Sequence, residues 1–224
     1  MTARRVVAPS EARSAWHVLV LAKSPVPGRV KTRLCPALSP QEAAEVAAAA
    51  LADTLDAVAG CSAERRILAL DGAPGPWLPP GFLVIPQRGD SFPARLANAW
   101  SAAAGPGIQI GMDTPQVTPA LLDHCLAATA SPAVTATLGM ALDGGWWALG
   151  LSEGWDVDVF SEVPMSTAVT GARQLDALRS HGHRVGSLPA LSDVDTVEDA
   201  RTIAARYPDG RFAQRLRSLD RKAS

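Results

Sequence analysis

The sequence predicts a single α/β domain with a mostly parallel, mixed central sheet and helices on both of its faces. Short apolar runs rich in β-formers alternate with helical patterns along most of the chain, which is typical of such a sheet. The 224 residues suit one domain of generous size, and 47% of them are hydrophobic, enough for a sizeable core. No internal repeat or long linker divides the chain.

Several segments are predicted to be strands because they are short, apolar and bounded by turn residues. They are residues 16–22, 66–70, 82–86, 108–111, 133–138, 146–151 and 184–188. The first of them, WHVLVLA, is almost continuously apolar, so we expect it to be buried on both faces of the sheet.

Helices are predicted between these strands from their capping residues. Ser39, Pro40 and Glu42 form a helix start with the serine as N-cap, and Gly60 is a natural stop. Further helices are expected over residues 92–104, from 118 to about 128, over 166–180 and from 196.

Composition limits the classes of function. We expect a flexible leader over residues 1–14, a domain over 15–208 and a basic tail over 209–224 that forms a frayed, solvated helix. The formal net charge of −1 predicts no binding to nucleic acid or to an anionic membrane. Three widely spaced cysteines predict neither a disulfide framework nor a structural zinc site, which suits the cytoplasm. No apolar run is long enough to predict a membrane span.

The basic loop, Ala22–Leu34, follows the first predicted strand and reads AKSPVPGRVKTRL. Its cations are Lys23, Arg29, Lys31 and Arg33. Prolines stiffen the loop, and Gly28 permits close approach of the backbone. Ligands of parallel sheets bind at the carboxyl ends of the strands, and clustered cations there suit a di- or triphosphate. A solvated basic loop is the alternative, and no Walker A pattern is present.

Carboxylates follow two other predicted strands. Asp113 comes after residues 108–111, where it could hold Mg²⁺ or Mn²⁺ or could cap a turn. Asp193 and Asp195 lie two residues apart and follow the last strand. Asp193 could belong to a metal site or have a structural role. Asp195 is interpreted as structural because it precedes a helix start. Asp90 could cap the helix over 92–104 or bind a ligand.

The segment DGGWW, residues 143–147, joins two predicted strands. Gly144 and Gly145 would let a ligand approach the backbone, and Asp143 could accept hydrogen bonds from hydroxyl groups or act as a base. Trp146 and its neighbour point to opposite faces, so one of them could reach a ligand while the other is core. A hairpin turn is the structural alternative.

Together these segments resemble a bacterial family of glycosyltransferases with the GT-A fold, known as domain of unknown function 2064. The resemblance runs from about residue 18 to 205. The matching segments are AKSPVPGRVKTRL, ADTLDAV, RGDSFPARLANAW, GMDTP, DGGWWALGL and LSDVDTVEDA. GMDTP and DVDT are shared more loosely with molybdopterin and phospholactate guanylyltransferases.

The resemblance implies a Rossmann-like GT-A domain, Mg²⁺ or Mn²⁺ as cofactor, and a nucleotide-sugar or nucleoside triphosphate with a small acceptor as partners. It implies that the metal lies at Asp113 and Asp193. The expected nucleotide-binding residues are Ala22, Lys23, Gly28, Lys31, Arg33, Asp90 and Asp113. The acceptor is expected beside Asp143, Gly144, Gly145 and Trp146.

The leading hypothesis is glycosyl transfer from a nucleotide-diphospho-sugar to a small acceptor. Lys31 and Arg33 stabilise the departing diphosphate and Asp143 is the candidate base. The second hypothesis is nucleotidyl transfer from a nucleoside triphosphate with release of pyrophosphate. The third is a nucleotide-binding module without catalysis, because Met112 and Leu142 stand where relatives carry polar or acidic residues.

Overall fold

A computed structural model describes residues 15–152 and 157–223; the expected leader, residues 1–14, lies outside the described residues. Within these ranges seven strands form one sheet in the order β3-β2-β1-β4-β6-β5-β7. The strands are β1 (His17–Lys23), β2 (Arg65–Asp71), β3 (Leu83–Pro86), β4 (Gly107–Ile110), β5 (Ala136–Ala141), β6 (Trp146–Leu151) and β7 (Val185–Leu191). Only β6 runs antiparallel to its neighbours, so the predicted mostly parallel, mixed sheet is confirmed.

Six α-helices are present in the part of the chain that the structure describes. They are α1 (Pro40–Gly60), α2 (Phe92–Ala103), α3 (Pro119–Thr129), α4 (Thr170–Ser180), α5 (Val197–Arg206) and α6 (Arg211–Ala223). The predicted capping box of α1 is confirmed, because Ser39 accepts from the Glu42 amide while the Glu42 carboxylate accepts from the Ser39 amide. Thr196 and Asp199 form the same box on α5. No described helix is long and apolar enough to cross a bilayer.

The strand β1 lies inside the sheet and is covered on both faces. Its residues from His17 to Ala22 are buried, as the apolar run predicted. Val18 and Val20 pack in a cluster with α1 and α3, whereas Leu19 and Leu21 pack in a cluster with α2 and α4. Because β1 pairs with β2 on one side and β4 on the other, the segments that follow these strands meet at one edge of the sheet.

Several element boundaries differ from the predicted ones. Strands β5 and β7 reach three residues further along the chain than expected, ending at Ala141 and Leu191. The helix expected over 166–180 begins only at Thr170, because Ser166 has a left-handed backbone with φ 60°. Residues 164–169 are thereby left as a loop beside the carboxyl edge of the sheet.

The expected frayed, solvated tail is instead the packed helix α6. Its apolar side chains Phe212, Ala213, Leu216 and Leu219 are buried against α1 and α5. Asp53 of α1 accepts the backbone N–H groups of Arg211 and Phe212 at 3.0 and 2.9 Å. This carboxylate therefore caps the start of α6, where backbone N–H groups lack partners within the helix.

Candidate functional site

A cavity of about 660 Å³ opens at the carboxyl edge of the sheet. Its walls are formed by the basic loop, the segment after β4, the turn between β5 and β6, the loop 164–169 and the segment after β7. The expected site residues that line it are Ala22, Lys23, Lys31, Arg33, Asp113, Asp143, Gly145, Trp146 and Asp193. Gly28, Asp90 and Gly144 are not among its described lining residues.

Lys31 and Asp113 form an ion pair inside the cavity. The Lys31 Nζ lies 2.7 Å from Asp113 Oδ1, and the lysine side chain is only 8% exposed. The same Nζ donates to the backbone carbonyl of Val194. Lys31 adopts a left-handed backbone, φ 49° and ψ 37°, at the start of a short 3₁₀ helix, Thr32–Leu34. The chain thus turns sharply at this residue, and the amine is held between the segments after β4 and β7.

A second ion pair joins the basic loop to the segment after β7. Arg33 Nη1 lies 2.7 Å from Asp195 Oδ2, and the two side chains are 67% and 37% exposed, far more than that of Lys31. Asp195 was interpreted from the sequence as structural, but it lines the cavity and neutralises a cation of the basic loop. Its place before α5 gave no indication of this partner, which is 162 residues away in the chain.

Buried apolar residues fix these pairs in place. Leu34 follows Arg33, Val194 lies between Asp193 and Asp195, and both side chains are buried in the cluster that α1, α5 and α6 share. The Val194 amide also donates to the Asp113 carbonyl at 2.9 Å. The basic loop and the acidic segment are therefore anchored beside each other by packing, and their charged side chains meet above the anchor.

Asp193 is a carboxylate of the cavity whose environment disfavours its ionised form. Its Oδ1 is buried and has no hydrogen-bond partner among the described residues. Burial, followed by the charges of Asp143, Asp113 and Asp195, raises the pKa of Asp193 to about 6. A buried oxygen without a partner, close to other carboxylates, is a place where a cation would be stabilising.

These carboxylates fit a divalent metal only in part. No group of three or more ligating side chains occurs within the described ranges. Asp113 and Asp193 offer hard oxygen donors, which Mg²⁺ and Mn²⁺ prefer, and Mg²⁺ is commonly held by one or two carboxylates together with substrate phosphates and water. The residues thus suit a metal that binds along with a phosphate ligand, rather than a closed metal cage.

The turn between β5 and β6 is a tight hairpin, the structural alternative that its Asp-Gly pair offered. Asp143 Oδ1 accepts from the Gly145 amide at 2.8 Å. Gly144 has φ +92°, and a Cβ there would lie 2.0 Å from the Ala168 carbonyl oxygen. The Gly144 carbonyl in turn accepts from the Gly171 amide at 2.8 Å. Gly144 therefore lets the turn dock against the loop 164–169, although it does not line the cavity itself.

The two tryptophans after this turn differ in burial, although both line the cavity. Trp146 is half-buried and lines the cavity. Trp147 is buried, and its Nε1 donates to the Pro189 carbonyl at 2.8 Å.

The loop 164–169 forms a wall of the cavity that sequence reasoning missed. Its lining residues are Met165, Ser166, Thr167 and Ala168. They were missed because they continue the helical pattern of α4. The left-handed Ser166 is the break that no residue type there indicated.

Asp90 is not among the described lining residues of the cavity, although Gln87 and Phe92 on either side of it are. Asp90 is exposed, and Ser91 rather than Asp90 caps α2 by accepting from the Ala94 amide. The nearby Arg95 of α2 pairs with Asp71, with Nη1 3.5 Å from Oδ2. The role of Asp90 in nucleotide binding stays a prediction.

Comparisons with known proteins agree with this architecture. A family model described as "Uncharacterized protein conserved in bacteria (DUF2064)" matches residues 43–167. A candidate nucleotide-diphospho-sugar transferase from Desulfovibrio desulfuricans G20 has a similar structure, with a TM-score of 0.83, 24% identity, and coverage of 92% of this chain and 96% of that one. No curated protein matches the sequence.

Two further solved structures share the fold more distantly. The 2-C-methyl-D-erythritol 4-phosphate cytidylyltransferase of Thermus thermophilus has a TM-score of 0.51 at 16% identity, covering 87% of this chain and 99% of that one. A CMP:2-keto-3-deoxy-manno-octonic acid synthetase in complex with CTP has a TM-score of 0.51 at 12% identity, with the same coverage. At these identities the likeness concerns the fold, which hosts more than one reaction.

Proposed function

We propose that this chain, which belongs to the DUF2064 family, transfers a glycosyl group from a nucleotide-diphospho-sugar to a neutral hydroxyl of a small acceptor. The description of the family assigns no reaction, so the function must be inferred from the site. The GT-A fold of the chain is compatible with glycosyl and with nucleotidyl transfer. The choice between them depends on how charge is distributed around the cavity.

One observation carries the proposal: the cations lining the cavity all come from the basic loop. Among the described lining residues they are Lys23, Arg29, Lys31 and Arg33. The part of the wall formed by the turn between β5 and β6 and by the loop 164–169 contributes Asp143, Trp146 and Met165 and no lysine or arginine among the described residues. A phosphorylated acceptor, as nucleotidyl transfer requires, would face a carboxylate there and no cation. A neutral hydroxyl acceptor meets no such penalty.

The roles of the residues follow from this asymmetry. Lys31 and Arg33 bind the diphosphate and stabilise the charge that develops as its bond to the anomeric carbon breaks. The acceptor oxygen forms the new bond to that carbon, and Asp143 takes the hydroxyl proton. The Gly145 amide holds one oxygen of Asp143, which leaves the other available to the acceptor. Beside Asp143, Trp146 supplies an apolar face against which a sugar ring packs.

A divalent cation belongs to this proposal as a cofactor. Asp113 and Asp193 would hold it, and the ion would supply charge neutralisation at the diphosphate. The unpartnered buried oxygen of Asp193 supports this placement. With few protein ligands, the site depends on the phosphates to complete the coordination.

The test compares the products from two substrate classes. Pure protein is incubated with UDP-, GDP-, CDP- and ADP-sugars and, separately, with the nucleoside triphosphates, each with Mg²⁺, with Mn²⁺ or with chelator. Neutral polyols and alcohols are offered as acceptors in one series, and phosphorylated acids and sugars in the other. We expect nucleoside diphosphate to be released from one nucleotide-sugar and to increase with a neutral acceptor. Pyrophosphate release that needs a phosphorylated acceptor would instead establish nucleotidyl transfer.

Variants then identify the site. We expect Lys31→Ala and Asp113→Ala each to lower kcat/KM by about 10²-fold or more, because each removes charge placed at the leaving group or the metal. The matched controls are Lys222→Ala and Asp209→Asn, exposed charges outside the cavity, which should leave kcat/KM unchanged. If the Lys31 and Asp113 variants are as active as the wild type, the site is misassigned.

A further inference from the structure

The lysine proposed to bind phosphate and the aspartate proposed to bind the metal form an ion pair with each other. The Lys31 amine, which is to hold phosphate, and the Asp113 carboxylate, which is to hold the metal, lie 2.7 Å apart. The lysine is almost completely buried and also donates to the Val194 carbonyl. Arg33 and Asp195 offer a comparison, because their pair has the same separation but its cation is 67% exposed, against 8% for Lys31.

We infer that Lys31 is an internal counter-ion that occupies Asp113 in place of the metal and makes binding of the divalent cation and of the diphosphate mutually dependent. This inference rests on the proposed assignment of the cavity to a diphosphate and a metal. It concerns how the two ligands enter the site, and it holds for either glycosyl or nucleotidyl transfer.

The physical reason is the low exposure of the lysine. A metal that takes Asp113 alone leaves a buried ammonium group without its counter-ion, and a buried unpaired charge is strongly unfavourable. A phosphate that takes Lys31 alone leaves Asp113 near Asp193, and the two like charges repel each other. When both ligands arrive, each protein group exchanges one partner for another and neither charge is left unpaired. Each ligand therefore strengthens binding of the other, as linkage requires.

The backbone prevents Lys31 from relaxing away at little cost. Its left-handed conformation and the buried Leu34 fix the start of the side chain, and the Val194 carbonyl fixes its end. Val194 is in turn bonded to the Asp113 carbonyl through its amide. Loss of the pair therefore leaves a charge that is held in place, whereas the solvated Arg33 can turn into water.

The first experiment measures Mn²⁺ alone, by the electron paramagnetic resonance signal of the free ion. We expect Lys31→Gln to bind Mn²⁺ about ten-fold more tightly than the wild type, since the competing amine is gone. Lys222→Gln, which removes an exposed cation outside the cavity, is the matched control and should match the wild type. The gain in Mn²⁺ affinity must disappear in the double variant Lys31→Gln/Asp113→Asn. Its disappearance would show that the ion binds at the Asp113 carboxylate.

The reciprocal experiment measures inorganic pyrophosphate alone, in chelator, by isothermal titration calorimetry. We expect Asp113→Asn to bind pyrophosphate about ten-fold more tightly than the wild type, because Lys31 is then without its counter-ion. Asp209→Asn controls for the general loss of one negative charge. This expected gain is opposite to the loss of turnover expected for Asp113→Ala with metal present.

The outcomes decide the matter without any turnover. Gains in both titrations, limited to the stated variants, support the inference. Unchanged or weaker Mn²⁺ binding in Lys31→Gln, or unchanged or weaker pyrophosphate binding in Asp113→Asn, overturns it. Circular dichroism and thermal melting verify that each variant is folded, and Lys31→Met and Asp113→Ala replace any that is not. Because no sugar or acceptor is present, a failure of the proposed reaction shows in the product assay and leaves these titrations readable.

Discussion

A buried histidine gives the sharpest prediction about stability. His17 is fully buried in β1, at the end of the strand opposite the cavity, and its ring lies edge-on to Trp100 at a centroid distance of 5.3 Å. Neither ring nitrogen has a hydrogen-bond partner among the described residues. Burial, assisted by the charge of Arg65, lowers the pKa of His17 from 6.5 to about 3. The folded state therefore holds this imidazole neutral.

The sign and size of the effect follow from linkage. The histidine of the unfolded chain takes up a proton below its pKa of 6.5, while that of the folded chain does so only near about 3. Stability is therefore fully present above pH 6.5 and is lost as the pH falls from there toward 3. At pH 5, about one and a half units below the pKa of the histidine in the unfolded chain, proton uptake by the unfolded state lowers the free energy of unfolding by about 2 kcal/mol. This equals a decrease in Tm of roughly 4–8 °C for a chain of this size.

The assay is urea unfolding of the wild type and His17→Phe at about pH 7, 6 and 5. The phenylalanine keeps the contact with Trp100 and cannot titrate, so the difference in unfolding free energy between the two proteins should shift by about 2 kcal/mol in favour of the variant on going to pH 5. Asp193 and all other groups titrate alike in both proteins and cancel. The exposed His124, replaced by asparagine, should show no such shift. A free-energy difference that stays constant between pH 7 and 5 would refute the reasoning.

Two further predictions concern backbone and capping. Gly144→Ala should cost about 2–3 kcal/mol of unfolding free energy and lower turnover, since its Cβ would clash with the Ala168 carbonyl. The control, Gly182→Ala, has φ +83° but open space around its Cβ and should cost only about 1–2 kcal/mol. Equal costs for the two variants in urea titrations would contradict this. Asp53→Ala should cost about 1–2 kcal/mol because it uncaps α6, while loss of the half-exposed Asp56 should cost under about 1 kcal/mol. A Tm that falls equally in both of these variants would show that the cap is unimportant.

Much of the fold was predictable because its signals are local. The buried strand β1 follows from an apolar run, and the starts of α1 and α5 follow from Ser39 and Thr196 with an acidic residue three positions later. The position of the cavity was predictable from the order of these elements. Parallel strands bring their carboxyl ends to one edge, so the sequence alone predicted Asp113 and Asp193 beside the basic loop.

The contacts inside the site were not predictable, because they depend on long-range packing. The Lys31 amine reaches a carbonyl 163 residues away, and nothing in the basic loop distinguishes this buried lysine from Arg33, whose side chain is exposed. The loop 164–169 was hidden for a different reason. Its residues fit the helical pattern of α4, and the break at Ser166 accompanies the docking of Ala168 against the turn at Gly144.

The C-terminal helix links the fold to the chemistry. Its charge predicted a solvated tail, yet its apolar side chains share one buried cluster with Leu34 and Val194, the residues that anchor the basic loop and the acidic segment. Without such an anchor, two opposite charges would form only a solvated ion pair, which contributes little to stability at a protein surface. With the anchor, the Lys31 side chain is held buried against Asp113, so loss of this partner is costly, and we infer that a metal and a diphosphate must bind together to offset that cost. In the proposed mechanism, the packing of α6 therefore contributes to the coupled binding of a metal and a diphosphate, although α6 contributes no described residue to the cavity lining.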